Sequence, residues 1–130
     1  MSTKPQTKQQ VFNKVAKHLL KQNERATNAD GGCMYRGEAG TKCAVGCLIP
    51  DKKYTEELDY PEMGSSNLAR SRAVQEVLEG EGLQLFENGK PTEMMDMLNR
   101  LQSVHDNTAP SAWEFHLKRC AKELGLKFNA

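Results

Sequence analysis

The sequence predicts an α+β domain, mostly α, in which four or so amphipathic helices pack on a short β-hairpin. Apolar residues recur at helical spacing in four segments. Turn chemistry rich in glycine, asparagine and proline separates those segments. Residues 33–47 alone combine two β-capable runs with glycines between them. At 130 residues the chain fits a single domain, 1–130, with residues 1–8 as a flexible lead. A chain of that length buries a real core without disulfides or metal.

Gln9 to Asn23 reads as the first helix. Val11, Phe12, Val15, Ala16, Leu19 and Leu20 share one side, and Lys14, Lys17 and Lys21 sit opposite. Asn28 to Gly32 is turn chemistry and ends that segment. Cys33 to Gly37 and Thr41 to Gly46 then form the arms of a predicted hairpin, with Glu38-Ala39-Gly40 at its bend. Gly37 and Gly40 supply the positive φ such a bend requires. Cys47-Leu48-Ile49 carries the chain into the core, and Pro50-Asp51 stops it. Tyr54 to Leu58 offers at most one helical turn.

Ser66 to Glu79 reads as the second long helix, with Leu68, Val74, Val77 and Leu78 on its apolar side. Leu83 to Phe86 is ambiguous between helix and strand. Pro91 opens the next helix at a position where proline is tolerated, and Met94, Met97, Leu98, Leu101 and Val104 form its buried stripe. Ser111 to Glu114 matches a capping box ahead of a last helix carrying Trp113, Leu117, Ala121 and Leu124. Gly125 stops it, and Leu126 supplies the accompanying apolar contact.

Composition excludes several classes. Charged residues are 27% and hydrophobic residues 38%, a mix that suits a globular protein and argues against disorder. No apolar run approaches the ~20 residues of a membrane span. The polar N-terminus MSTKPQTKQQ lacks a signal peptide's apolar stretch. A cytoplasmic location follows as the expectation, with cysteines as thiols or metal ligands. Net charge is +1 but unevenly spread. Residues 1–29 hold six bases against one acid, and residues 51–82 hold eight acids against four bases. Such polarity steers partners, or merely solvates two helix faces. The helix lysines have no aromatic residues among them, so a nucleic-acid partner is disfavoured.

Four constellations bear on chemistry. Cys33, Cys43 and Cys47, with His105 or Cys120 as fourth ligand, offer a zinc site, but the C-x9-C-x3-C spacing lacks the C-x2-C knuckles that mark one. The alternative use of these cysteines is as small buried residues. Cys43 or Cys47 activated by His105, itself oriented by Asp106, offers a thiol enzyme. Tyr35, Arg36, Gly37 and Lys42 at the bend offer an anion grip, because arginine makes bidentate contacts and glycine admits a ligand to the backbone. The plain alternative is that Arg36 pairs with Glu38 or with an acid of the 51–62 segment.

The run from Cys33 to Asp51, with Tyr54 after it, resembles a group of small proteins encoded by phages and prophages. Their shared block reads YRG…G-x-x-CAVG-x-LI-x-D, preceded by HLL-x-Q and followed by LQ-x-x-HD ahead of a last helix with tryptophan. Here those pieces are His18 to Gln22, Leu101 to Asp106, and Trp113. This chain departs from the pattern at Met63-Gly64, where an acid is expected before the glycine and Glu62 stands one place earlier. The resemblance implies an accessory protein acting in a bacterial host cell, as a host or anti-defence regulator. The reading is therefore a non-enzymatic binding module that presents Tyr35, Arg36, Gly37, Lys42 and Asp51 to a host protein or an anionic small molecule. It assigns no catalytic residue, no metal and no cofactor, and it leaves the oligomeric state open. The alternative is a small metal- or cysteine-dependent enzyme built on Cys33, Cys43, Cys47 and His105.

Overall fold

A computed structural model describes residues 5–29, 31–59 and 71–129. Three long helices form the frame: α1 (Lys8–Gln22), α4 (Glu93–Asn107) and α5 (Trp113–Leu124). Between them lie a single-turn helix α2 (Glu56–Asp59), a shorter helix α3 (Arg72–Gly80) and the strands β1 (Phe86–Glu87) and β2 (Lys90–Pro91). The domain is thus α+β and mostly α, as expected. No helix among the described residues is long and apolar enough to cross a membrane.

α1 starts at Thr7, whose hydroxyl accepts from the Gln10 N–H while the Gln10 side chain accepts from the Thr7 N–H. That reciprocal cap satisfies two backbone donors the helix cannot satisfy itself. Val11, Phe12, Val15, Ala16 and Leu19 are fully buried against α4 and α5. α4 contributes Met94, Met95, Met97, Leu98 and Leu101, and α5 contributes Trp113, Leu117, Cys120 and Ala121. α5 ends at Gly125 with φ 69°, and the Leu126 N–H reaches back to the Ala121 carbonyl at 2.8 Å.

Four local expectations need correction. Pro91 does not open α4; it lies in β2, opposite Phe86, and Thr92 caps the helix instead. Ser111 makes no capping box, because it sits inside a 3-10 turn, Pro110–Ala112, that feeds directly into α5. Arg72, not Ser66, begins α3, with Ser71 as its cap; residues 66–70, Leu68 among them, lie outside the described residues. The paired strands fall at 86–91, where Asn88 (φ 53°) and Gly89 (φ 77°) make a tight turn with both central residues at positive φ.

The 33–47 stretch does fold back on itself, but without regular strands. Two isolated bridges, Thr27 with Cys33 and Arg36 with Lys42, mark where it pairs. After Cys43 the chain turns into a 3-10 segment, Gly46–Leu48, so the second arm is not β as far as Gly46. The bend itself, Glu38–Gly40, is exposed. Gly40 has φ 76° as anticipated, whereas Gly37 has φ −94°. Gly37 is needed for closeness: a Cβ there would lie 2.4 Å from the Thr27 nitrogen. The tightest approach is at Gly46, where a Cβ would fall 2.0 Å from the Tyr35 carbonyl oxygen.

These positions predict different penalties. Gly46→Ala forces two backbone segments apart and is expected to cost about 3 kcal/mol. Gly40→Ala meets nothing within 4 Å, so only its positive φ is penalised, at about 1 kcal/mol. Urea unfolding midpoints of the two variants check the ranking.

Candidate binding surface

Asp59 organises the surface. Its side chain is buried, and its Oδ1 accepts the Tyr35 N–H at 2.6 Å while Oδ2 accepts the Arg36 N–H at 3.1 Å. The Tyr54 hydroxyl donates to the same Oδ2. Burial, then that bond and the charge of Asp59, push the Tyr54 phenol above its ordinary range. One carboxylate from α2 therefore fastens the first arm of the 33–47 reversal.

Arg36 leaves this anchor with its guanidinium held on several sides. Nη2 donates to the Ile49 carbonyl at 2.6 Å, Nη1 donates to Asp51 Oδ1 at 2.7 Å, and Cζ lies 4.9 Å from the centre of the Tyr54 ring. Lys42, opposite Arg36 in the bridge, sends Nζ to the same Asp51 oxygen at 3.3 Å. The Asp51 carboxylate is exposed and is held below the ordinary carboxylate range by its hydrogen bonds to Arg36 and then Lys42. The charges of Lys14, Lys42 and Arg36 pull the Cys47 thiol down, against its burial.

The Lys42 backbone is tied to α1. Gln22 Oε1 accepts the Lys42 N–H at 2.9 Å, and the Lys42 carbonyl accepts from Gln22 Nε2 at 2.9 Å and His18 Nε2 at 2.8 Å. An open groove lies beside these contacts, lined by His18, Lys21, Gln22, Ala39, Gly40 and Lys42. Burial, followed by the nearby charges of Lys42 and Lys14, holds the His18 ring below its ordinary value against the opposing pull of the Lys42 carbonyl.

Of the anticipated site residues, Arg36, Lys42 and Asp51 come together as one cluster. Tyr35 does not join them: its ring is buried in the core, because its backbone is pinned inward by Asp59. Gly37 acts by closeness to Thr27, as described above. The sequence-level pairing of Arg36 with an acid of the 51–62 segment is what the structure has, through Asp51. Asp59, Gln22 and His18 were missed as site builders. The HLL-x-Q piece of the motif contains two of them, at His18 and Gln22.

The cysteines do not assemble as anticipated. Cys43 is buried, with Sγ accepting the Gly46 N–H at 3.2 Å, and burial drives its thiol far up. Cys47 donates to the Ala44 carbonyl at 3.1 Å and is pushed up to about 12 by burial, in spite of the three nearby cations. Neither thiol is poised for nucleophilic chemistry. The cluster that does form is Cys33, His105 and Asp106, whose ligand atoms lie within 4.8 Å of one another.

The hydrogen bonds of that cluster show what it does. His105 is fully buried and stacked on Trp113, with ring centres 5.5 Å apart. Its Nε2 accepts the Ala26 N–H at 2.9 Å, which places the ring proton on Nδ1, and Nδ1 donates to Asp106 Oδ1 at 2.6 Å. A metal on Nδ1 would need the opposite tautomer, with two N–H groups meeting at Ala26. Burial, then the charge of Asp106, raises the Cys33 thiol, which opposes thiolate formation. The group works as a bolt. His105 holds Ala26, Arg25 donates to the His105 and Thr108 carbonyls at 3.1 and 2.7 Å, and α4 is thereby locked to the loop after α1. Arg25, rather than His105, serves the carbonyls at the end of the helix.

No protein-family model matches the chain, and neither a curated protein nor a solved structure matches it.

Two outcomes follow from the geometry. Asp59→Asn places an amide donor against buried donors and is expected to lose about 2–3 kcal/mol in urea unfolding, whereas Tyr54→Phe loses about 1. His18 titrates lower in the folded chain than its ordinary 6.5, so below that pH the unfolded chain takes up the proton first. Stability therefore falls as pH drops from about 6.5, and His18→Gln, which retains a donor for the Lys42 carbonyl, is expected to flatten that fall when unfolding is followed at pH 7.5 and 5.5.

Proposed function

We propose that this protein is a non-enzymatic binding module that captures an anionic group on a host protein through the face bearing Arg36, Lys42 and the 38–40 bend. The observation that carries this reading is the pairing of two cations, one on each arm of the reversal, on a backbone fixed from two sides. Asp59 fixes the Arg36 arm, and Gln22 with His18 fixes the Lys42 arm. A rigid frame with charged groups at its rim is the common form of a recognition loop, since little freedom is left to lose on binding. The neighbouring groove adds Lys21 to this face, with His18 and Glu24 also in its lining.

The resemblance of the Cys33 to Asp51 block to phage-encoded proteins supports a setting in the cytoplasm of an infected bacterium, where such a module would act as a host or anti-defence regulator. The thiol and metal readings lack comparable support, because His105 has both ring nitrogens engaged in bracing the fold. Charge complementarity on this face favours a partner surface rich in aspartate and glutamate, and it adds rate and selectivity more than raw affinity.

The test uses the full chain and a fluorescein-labelled deca-glutamate peptide, read by anisotropy at low ionic strength. Binding that weakens with salt is expected, and Lys21→Gln with Lys42→Gln is expected to weaken it at least fivefold with a melting temperature within a few degrees of the parent. Absence of binding, or binding indifferent to both substitutions, overturns the reading.

A further inference from the structure

Asp51 differs from the other acid of this face in what it supports. Asp59 is buried and holds two backbone N–H groups, so it cannot leave without unfastening the chain. Asp51 has a side chain 81% exposed, and among the described residues its carboxylate touches only the Arg36 guanidinium and the Lys42 ammonium. It stands just after Pro50, at the start of a 3-10 turn. That turn is held by main-chain bonds, from the Lys53 N–H to the Pro50 carbonyl at 2.9 Å and from the Tyr54 N–H to the Asp51 carbonyl at 3.3 Å. Swinging the Asp51 side chain away breaks none of these.

Arg36 is equally prepared for such an exchange. Without Asp51 its guanidinium keeps the Ile49 carbonyl on Nη2 and the Tyr54 ring near its face. Nη1 is left pointing outward, beside Lys42 Nζ, which already reaches the same oxygen. Two cations converging on one oxygen atom define a receptor for an oxyanion, and the group now in it is a carboxylate tethered to the same chain.

We infer that Asp51 is a built-in stand-in for the partner: its carboxylate occupies the seat that a glutamate or aspartate of an acidic peptide takes, and binding proceeds by displacing it. This rests on the reading of the Arg36–Lys42 face as an anion-binding surface and says what that surface takes and what holds it closed. A carboxylate is favoured over a phosphate because the seat is filled by a carboxylate of ordinary reach and only two cations face it. The tether limits the competition: an ion pair exposed to this degree is weak, so the self-contact filters out weakly charged ligands without blocking a multiply acidic one.

The test measures deca-glutamate peptide and inorganic phosphate against the parent, Asp51→Ala and Glu87→Ala, with Arg36 and Lys42 amide shifts followed by NMR. Glu87 is exposed in β1, outside the face that carries Arg36, Lys42 and the bend, so Glu87→Ala makes the same change in net charge without vacating the seat. Asp51→Ala is expected to bind the peptide about three- to fivefold more tightly than either, the scale that releasing one exposed ion pair permits. Equal tightening by Glu87→Ala overturns the inference in favour of bulk charge. Tightening confined to phosphate overturns the choice of a carboxylate. Unchanged or weaker binding by Asp51→Ala, while Lys42→Gln still weakens it, removes the stand-in but leaves the binding face. No binding by any of the three chains overturns both.

Discussion

The constraint on which this structure depends is the satisfaction of buried backbone outside regular elements. Between the end of α1 and the single turn of α2 lie 33 residues, and those described hold only isolated bridges and 3-10 turns. Much of that stretch is buried, including Ala26, Met34, Tyr35, Cys43, Ala44 and Val45. Helices and sheets satisfy their own N–H and C=O groups, but this segment has no ladder to do so, and each unmet group costs about 1–3 kcal/mol. To the main-chain bonds of its turns the frame adds partners from side chains. His105 meets the Ala26 N–H, Gln102 meets the Val45 N–H, Gln22 meets the Lys42 N–H, and Asp59 meets those of Tyr35 and Arg36. These bonds tie the loop to the helices around it.

That constraint also engages the residues whose types offered chemistry in the sequence. A histidine beside an aspartate looks like an activated base when read along the chain. In space both ring nitrogens are committed, one to Ala26 and one to Asp106, and Asp106 also accepts from Gln102 at 2.9 Å. The network is a fully satisfied polar core of the kind that fixes a unique arrangement. Cys43 and Cys47 follow the same logic, each engaged with backbone of its own turn. Arg36 and Lys42, half-buried at the rim, instead meet the exposed carboxylate of Asp51.

Legibility in the sequence tracks the range of each interaction. α1 was readable to within one residue at either end, since its apolar stripe and its partner face are both written locally. The same holds for Gly125, whose φ of 69° is what a helix-stopping glycine supplies. Arg36, Lys42 and Asp51 were readable as a charged group around a bend. Asp59 and Gln102 were not, because their partners lie 23 to 57 residues away and no spacing rule connects them. The Asn88-Gly89 turn is a different case. Its signal is local and strong, but flanking strands of two residues gave no alternation to read, and Pro91 drew the helix start forward by two positions. Tyr35 was misplaced because an aromatic residue next to a bend reads equally well as rim or core until the position of Asp59 is known.

The bend also carries a local conformational cost. Ala39 holds φ 58°, a conformation that disfavours any residue with a Cβ by about 1 kcal/mol or more. The surrounding bonds over-determine it: Gly37 N–H to the Thr41 carbonyl at 2.9 Å, and Thr41 Oγ1 to the Glu38 carbonyl at 2.7 Å. Lys42 follows this bend and stands across from Arg36 in the bridge. In the proposed binding module, an arginine whose plane is set by Ile49 and Tyr54 would fix where an oxyanion sits, and a freer lysine would supply charge without dictating geometry. Such a pair would have little freedom left for binding to remove. Selectivity in that module would come from position, with the nearly neutral net charge of the chain limiting attraction of polyanions in general.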